Sequence, residues 1–407
     1  MLATPRSLTD SHERRVALAE YATSVPFEAE PARVGVAILV AVLVILYLFA
    51  ASSFTGGTWS HFTGVDTATV QALALSVPAI YVVTIGISQR RHHVFLEHAG
   101  IASSVAMGFL NFASIAALLC WPVSWLASSV GMADAAATAI AWTLYGGSVP
   151  VAMLGLVNAL TLRVTTYHVA LPNLPEAWQG RRIAVVSDMH VGHIFGPRFV
   201  RKIVKQLNEL APTAVFIPGD MFDGAAIDIE EAVKPWAGCR VPAGVYFVTG
   251  NHDELRDRAP YLDALSAVGV KVLHNEKIVV DGLQIVGVHD AEAHRRSVLD
   301  DLLTRAKIDR ADPSILLSHR PGRLDVAENA GISLQVSGHT HAGQFFPFSF
   351  LVRLIYGRFG YGHHRHGSMQ VVTSSGAGTG GPPFRVGTRT EIVVLQLRAG
   401  TDPDLRP

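Results

Sequence analysis

The pattern of apolar and polar positions changes character once along the chain, near residue 162. From 34 to 162 the only charged side chains are Asp66, Arg90, Arg91, Glu97 and Asp134. Apolar runs recur there at 34–53, 69–88, 105–127 and 135–162. Wound as helices rising ~1.5 Å per residue, such runs reach across a hydrocarbon core of ~30 Å. They predict about four membrane-spanning helices. Pro78, Pro122 and Pro150 fall inside them, which membrane helices tolerate because neighbouring groups satisfy the freed carbonyls. The first run begins too far from Met1 and runs too long for a cleaved secretory signal.

Beyond 162 the period shortens. Residues 163–171 (RVTTYHVAL) alternate and are β-branched, which predicts a strand. Further short apolar runs at 183–187, 214–218, 245–249, 283–288, 315–318, 334–337, 370–374 and 392–397 predict more strands. Helical spacing appears at 197–210, 260–268, 298–306 and 321–330. A βαβα order with a β-rich tail predicts a layered α/β domain with helices outside. The expected organisation is a polar tail (1–33), an all-α transmembrane region (34–162), an α/β domain (163–399) and a short tail (400–407).

Composition sharpens this division. Only 16% of the 407 residues are charged and the mean hydropathy is +0.32, too apolar for an average soluble protein. Lys and Arg number 33, as do Asp and Glu, and no basic stripe appears, so nucleic-acid binding lacks electrostatic support. Cys120 lies in an apolar run and Cys239 in the globular part, which predicts neither a disulfide nor a cysteine zinc site. Arg6, Arg14, Arg15 and Arg33 precede the first run, Arg90 and Arg91 separate the second from the third, and Arg163 follows the fourth. The other two connections carry no Lys or Arg. The positive-inside rule then gives a multi-pass inner-membrane protein whose globular domain faces the cytoplasm. Gln71, Asn111 and Asn158 are the polar groups at depth; without ionisable residues there, a transporter is disfavoured. Anchoring, or lateral access for a lipid substrate, fits better.

The chemistry is carried by Asp188-Met189-His190, Gly219-Asp220, Gly250-Asn251-His252-Asp253, Ser318-His319 and Gly338-His339-Thr340-His341, with a glycine-rich stretch at 376–381. Each block follows a strand-like run, at the position where α/β sheets open crevices. Carboxylate, imidazole and amide oxygen suit Zn, Mn or Fe. The Asp-x-His spacing lets Asp188 and His190 hold one ion together. Gly219 permits a tight turn, so the Asp220 carboxylate can bridge two cations. Asn251 adds a neutral donor, and His319, His339 and His341 complete two sets of ligands.

This series resembles the calcineurin-like metallophosphoesterases over 163–397, with SDMH at 187–190 and SGHTHAGQ at 337–344 its most specific parts. It is most similar to the bacterial branch with N-terminal transmembrane segments. The resemblance implies a four-layer αββα sandwich carrying two divalent metal ions (Mn, Fe or Zn). It assigns Asp188, His190 and His341 to one ion, Asn251, His319 and His339 to the other, and Asp220 as the bridge. It implies that His252 acts on the leaving group, and Asp253 stands where the family carries Asp or Glu. The expected activity is a metal-dependent phosphodiesterase or pyrophosphatase using a metal-bridging hydroxide. The expected substrate is lipid-linked or UDP-linked, such as a UDP-linked acyl sugar. The alternatives are a soluble cyclic nucleotide, or a catalytically silent membrane receptor or scaffold.

Other residues remain open between two readings. Asp223 either orients a ligand histidine or belongs to a loop. Arg320 meets substrate phosphate or forms a salt bridge, and His289, Asp290 and His193 are candidates for substrate contact. His363-His364-Arg365-His366 reads as a solvated loop edge, or else as a recognition element for an anionic group. Phe345, Phe346, Phe348 and Phe350 with Leu351 and Leu354 read as core packing, against a hydrophobic lip for an acyl chain or a membrane surface. The stretch GAGTGGPP at 376–383 lacks the Lys-Ser/Thr ending of a phosphate loop and reads as a tight turn at the site.

Overall fold

The computed structural model describes residues 31–88, 93–132 and 134–400. The polar tail up to residue 30, the Arg90 and Arg91 pair and the tail beyond residue 400 lie outside the described residues. The chain divides into two compact units, residues 1–50 and 51–407.

The apolar region forms four long helices: α1 (Pro31–Thr63), α2 (Thr67–Ser88), α3 (Val94–Ser129) and α4 (Asp134–Leu160). All four are long and apolar enough to cross a membrane. Pro78, Pro122 and Pro150 are carried inside α2, α3 and α4. At 36 residues α3 spans about 54 Å, well beyond a hydrocarbon core. Its first turns extend past the run expected at 105–127. Polar side chains knit the bundle: Thr84 and Ser103 hydroxyls meet at 2.9 Å, and Gln71 donates to the Ser53 carbonyl at 2.9 Å.

From Arg163 onward the chain builds two six-stranded sheets. The strands are β1 (Arg163–Leu171), β2 (Arg182–Val185), β3 (Ala214–Pro218), β4 (Gly244–Val248), β5 (Val270–Val272), β6 (Glu276–Val280), β7 (Leu283–Val288), β8 (Ser314–Ser318), β9 (Leu334–Ser337), β10 (Gly362–His366), β11 (Met369–Thr373) and β12 (Glu391–Ala399). One sheet has the order β1-β12-β2-β3-β4-β5, the other β10-β11-β9-β8-β7-β6. The sheets face each other across a core in which Ile183, Phe216, Tyr246 and Leu395 of the first meet Ile285, Leu317, Val336 and Val372 of the second. The alternate residues point outward, as the period of two demands. Val215, Ile217 and Phe247 pack under α5 (Pro197–Leu210) and α6 (Ala259–Ala267). On the far side Val286, Leu316 and Val371 pack under α7 (Arg296–Ala306) and α8 (Leu324–Ala330). The result is the expected four-layer αββα sandwich.

Helix α5 shows how local sequence sets this arrangement. Pro197 opens it at N1, where its missing N–H costs nothing. Val200, Ile203, Val204 and Leu207 recur at helical spacing and are all buried, each stabilising by ~1.5–3 kcal/mol. Ala211 in the left-handed region ends it.

Four elements differ from the sequence reading. Strands β5 and β6 are short and mostly half-polar, too weak in pattern to stand out. The histidine run is strand β10, paired antiparallel with β11 at the sheet edge, rather than a loop edge. The phenylalanine stretch divides: Phe345 is core, as expected, whereas Phe348, Phe350, Leu351 and Leu354 lie on helix α9 (Phe348–Tyr356), of which no residue is buried.

Leu317→Ala tests the inter-sheet core. The fully buried leucine should cost about 2–5 kcal/mol on truncation, read as a lowered denaturant midpoint for the purified full-length protein in detergent. A loss under ~0.5 kcal/mol would mean that the two sheets are not packed there.

Candidate metal centre

Every block that sequence reasoning selected sits just beyond the carboxyl end of a strand. Asp188 and His190 follow β2, Asp220 follows β3 and Asn251 follows β4; His319 follows β8, and His339 and His341 follow β9. Both sheets therefore deliver donors to one end of the sandwich. The backbone must turn sharply to aim them. Asp188, His190, Asp220, His339 and His341 all have φ between 49° and 71°, a left-handed conformation that non-glycine residues seldom adopt and that clusters at functional sites. Glycine supplies the remaining clearance. A Cβ on Gly338 would collide with Ser187 Oγ and Asp188 Oδ2, and one on Gly219 would meet Gly250 N and His319 Nδ1.

The donors converge in three overlapping groups, whose ligand atoms lie within 4.8 Å of one another: Asp188, His190 and His341; His190, Asp220 and His252; and Asp220, His319 and His339. Asp220 and His190 each belong to two groups. Asn251 joins through its Oδ1, 3.2 Å from His319 Nε2. Asp188 is fixed by the Ser187 hydroxyl at 2.5 Å and by the His339 N–H, which donates to both carboxylate oxygens at 2.9 and 3.0 Å. Asp220 Oδ1 accepts from the His252 N–H at 2.8 Å, leaving Oδ2 aimed inward, 3.2 Å from His319 Nε2 and 3.8 Å from His190 Nε2.

The donor set can be tested for its fit to cations. His319 Nδ1 lies 2.8 Å from the Pro218 carbonyl, which can only accept, so Nδ1 carries the proton. Neutral His319 then turns an Nε2 lone pair toward Asp220 Oδ2 and Asn251 Oδ1, both electron-rich. That arrangement demands positive charge between them. Without an ion, a proton on Nε2 supplies that charge: burial alone would depress His319, yet the Asp220 carboxylate overrides it and lifts the imidazole to about 10, and a bound cation would take the place of this proton. The same balance holds Asp220 well below the usual carboxylate range: burial opposes ionisation, and His319, His190 and His252 outweigh it. Burial pushes Asp188 up to about 6, with the Asp220 charge adding to the rise. Burial pulls His190 down to about 3 and His339 to about 2, which keeps their imidazoles neutral and able to coordinate. The residues fit two divalent cations.

His252 is half-buried at the edge of this cluster, its ring 4.7 Å from that of His190 and its Nδ1 3.4 Å from the Asp223 carbonyl. Asp253, expected from the family resemblance to be catalytic with His252, is buried between two loops. Its buried carboxylate accepts from the N–H groups of Phe222 at 2.9 Å and Gly250 at 2.7 Å. It thereby ties the Asp220 loop to the Asn251 loop. Burial, with the Asp220 charge, raises it to about 8.

The neighbouring candidates resolve as follows. Asp223 faces His252 with its carbonyl, while its carboxylate caps the Ala225 N–H at 2.8 Å. Arg320 forms a bidentate pair with Asp290 at 2.8 and 2.9 Å, so the salt bridge is the observed state of both. His289 Nδ1 accepts from the Thr249 N–H at 3.1 Å and supports the start of the Asn251 loop. His193 Nε2 lies 3.2 Å from the carbonyl of Ser88, the last residue of α2. Next to the Arg320–Asp290 pair opens a cleft of about 380 Å³ that Ser318, Arg323, Ile355 and Tyr356 also line in part.

Sequence reasoning missed Arg385. Its fully buried guanidinium donates to the carbonyls of His341, Ser375 and Gly378 at 2.6–2.7 Å and approaches His341 Nδ1 at 3.0 Å. The Arg385 N–H also donates to the Gly155 carbonyl of α4 at 2.9 Å. Next to it Phe384 is buried against Phe109 and Phe112 of α3, in a notch where a Cβ on Gly108 would collide with it. These contacts join distant segments mainly through backbone carbonyls, which leave no spacing signature.

Asp220→Ala should remove metal loading and turnover together, because the carboxylate faces both groups of donors. Elemental analysis of the purified variant checks this; full metal occupancy would exclude the bridging role.

Comparison with known proteins agrees with this geometry. Residues 181–343 match the family model described as calcineurin-like phosphoesterase. An uncharacterized metallophosphoesterase of Helicobacter pylori (strain J99) is 35% identical over 220 residues, 53% of this chain and 59% of that protein. A zebrafish (Danio rerio) protein named transmembrane protein with metallophosphoesterase domain is 32% identical over 268 residues, 61% of this chain and 60% of that protein. The chain thus spans about three-fifths of the length of these curated relatives. Among solved structures, GAP50, the anchor in the inner membrane complex of Plasmodium, matches 49% of this chain and 72% of its own at 15% identity, with a TM-score of 0.30, too loose to carry an argument.

Proposed function

This chain carries a calcineurin-like metallophosphoesterase domain, and on that premise we propose that it is a membrane-anchored phosphoester hydrolase cleaving a phosphodiester or pyrophosphate bond. The observation that carries the proposal is the convergence of Asp188, His190, Asp220, Asn251, His319, His339 and His341 on one pocket. In it Asp188, His190 and His341 would hold one ion, Asn251, His319 and His339 the other, and Asp220 would serve both. When bound, a pair of divalent cations stabilises the attacking and leaving oxygens of an in-line displacement at phosphorus.

The chain's own residues do the rest. Ser187 and the His339 N–H hold Asp188 in place, and the Pro218 carbonyl fixes the His319 tautomer so that Nε2 faces inward. Asp253 locks the Asn251 loop against the Asp220 loop. Contact with the Asp223 carbonyl orients the His252 ring, placing it to donate a proton to the leaving oxygen. His252→Ala should therefore keep the metal content and lower turnover of an aryl phosphodiester by about 10²–10⁴. Unchanged turnover would remove His252 from the mechanism.

The membrane boundary belongs at residues 162 and 163, between α4 and β1, with the inner membrane as the site and the catalytic domain in the cytoplasm. Arg163 at the foot of α4 supports that orientation. An alkaline phosphatase reporter fused after Pro407 should be inactive and a fluorescent protein there bright; the opposite pair of results would invert the topology. A lipid-linked or UDP-linked substrate is favoured over a soluble cyclic nucleotide because Phe345 and Phe384, on the segments flanking His341, pack directly on α3. The filled donor set argues against a catalytically silent scaffold.

A further inference from the structure

Helix α9 leaves a whole apolar face uncovered next to the metal centre. Phe350, Leu351, Leu354 and Ile355 recur at helical spacing on one side, and Phe346 precedes them. Phe346 and Phe350 are 62% exposed, Leu354 71% and Ile355 70%. The opposite side is engaged by the domain. Gly343 closes on the backbone of Ser349, Val352 presses on Gly360, and the Tyr356 ring lies 6.1 Å from that of His339. A contiguous exposed apolar face of this size marks an interaction surface.

What covers the face follows from where α9 starts. Phe345, three residues before it, is buried against Phe112 at 5.6 Å, and Ala152 belongs to the same cluster. Both partners lie well inside helices long and apolar enough to cross a membrane. Phe345 therefore enters at the depth of the spanning helices, and α9 leaves from that depth with its apolar face turned away from the domain. Phe345 links α3 to the start of α9, its ring 5.6 Å from Phe112 and 5.5 Å from Phe348. Arg353 and Arg358 are exposed on and just after the helix, and Tyr361, 42% exposed, follows. Such residues suit the headgroup level, where cations meet anionic lipid and tyrosine bridges wet and apolar layers.

We propose that α9 lies in the headgroup–acyl boundary of the bilayer crossed by the chain's own helices. There it holds the metal centre against the lipid surface, so that the phosphoester taken is one carried on a membrane lipid. The placement stands on the packing; the substrate class rests on the hydrolase reading above. Tyr356, whose ring lies 6.1 Å from that of His339, and Ile355 line a cleft together with Arg320 and Arg323. A headgroup phosphate rising alongside α9 would meet that cleft while its acyl chains remain in the membrane.

Spin labels introduced by Phe350→Cys and Leu354→Cys, in full-length protein with Cys120 and Cys239 replaced, test the placement in phosphatidylethanolamine–phosphatidylglycerol nanodiscs. Both sites should be open to molecular oxygen and closed to a water-soluble nickel chelate, opposite to a label at the exposed Leu255. Access to the nickel chelate would overturn the proposal, and exclusion of both reagents would assign the face to a second copy of the chain instead. Phe350→Glu with Leu354→Glu should then lower turnover of a phosphodiester lipid in vesicles at least about tenfold more than turnover of a soluble aryl phosphodiester. Equal losses on both would overturn the substrate clause. Failure of the unsubstituted protein on both substrates would sink the hydrolase reading while the label result still decides the placement.

Discussion

Two carboxylates and four imidazoles cannot share a water-poor pocket unless positive charge is placed among them. Burying unpaired charge or unsatisfied donors is expensive enough to unfold a domain of ordinary stability. Asp188, Asp220, His190, His319, His339 and His341 nevertheless converge, and Asp220 pulls His319 far above its ordinary range. The need for cations at this spot organises what surrounds it. Strand ends from both sheets provide the donors, left-handed turns aim them, and Gly219 and Gly338 remove the atoms that would keep them apart. The sandwich is the rigid support that makes such an unfavourable assembly persist.

The centre is also tied to the long apolar helices through Phe384 and Arg385. Phe384 occupies the notch at Gly108, while the Arg385 backbone bonds α4 at Gly155 and Asn158. The same arginine's guanidinium holds the His341 carbonyl. A proposed ligand and a spanning helix are thus two bonds apart through a single buried residue. Anchoring alone would need only a flexible connection. Here helix and centre share a packed wall, so a shift of α4 would be felt at His341.

What could be read from sequence was what is local in the chain. Asp188, Asp220 and His319 each follow a short apolar strand, and adjacency in sequence was enough to place them at strand ends. The long apolar runs announced their helices for the same reason. Elements defined by distant partners were not legible. Arg385 bonds carbonyls from three separate segments, and nothing near it in sequence signals that. The polar composition of 363–366 argued for a loop, but an edge strand tolerates polar residues because solvent faces one side. The phenylalanines of α9 argued for core, because composition shows that a surface is apolar and not what it faces. Asp253 has the type of a catalytic group and the surroundings of a structural one, a distinction visible only in its bonds to Phe222 and Gly250.

The pairing of β1 with β12 has a consequence for how the protein is made. β1 leaves α4 immediately, yet its hydrogen-bonding neighbour runs from Glu391, with Arg163 set opposite that residue. At ~5–20 residues per second of synthesis, the intervening chain takes about 10–50 s to appear. Throughout that delay a β-branched strand has no ladder to join, and β2 has β3 on one side but lacks β12 on the other. The nascent domain must therefore wait for β12, the last of its described strands, before its first sheet can close, which makes this interval its time of greatest exposure to chaperones and proteases.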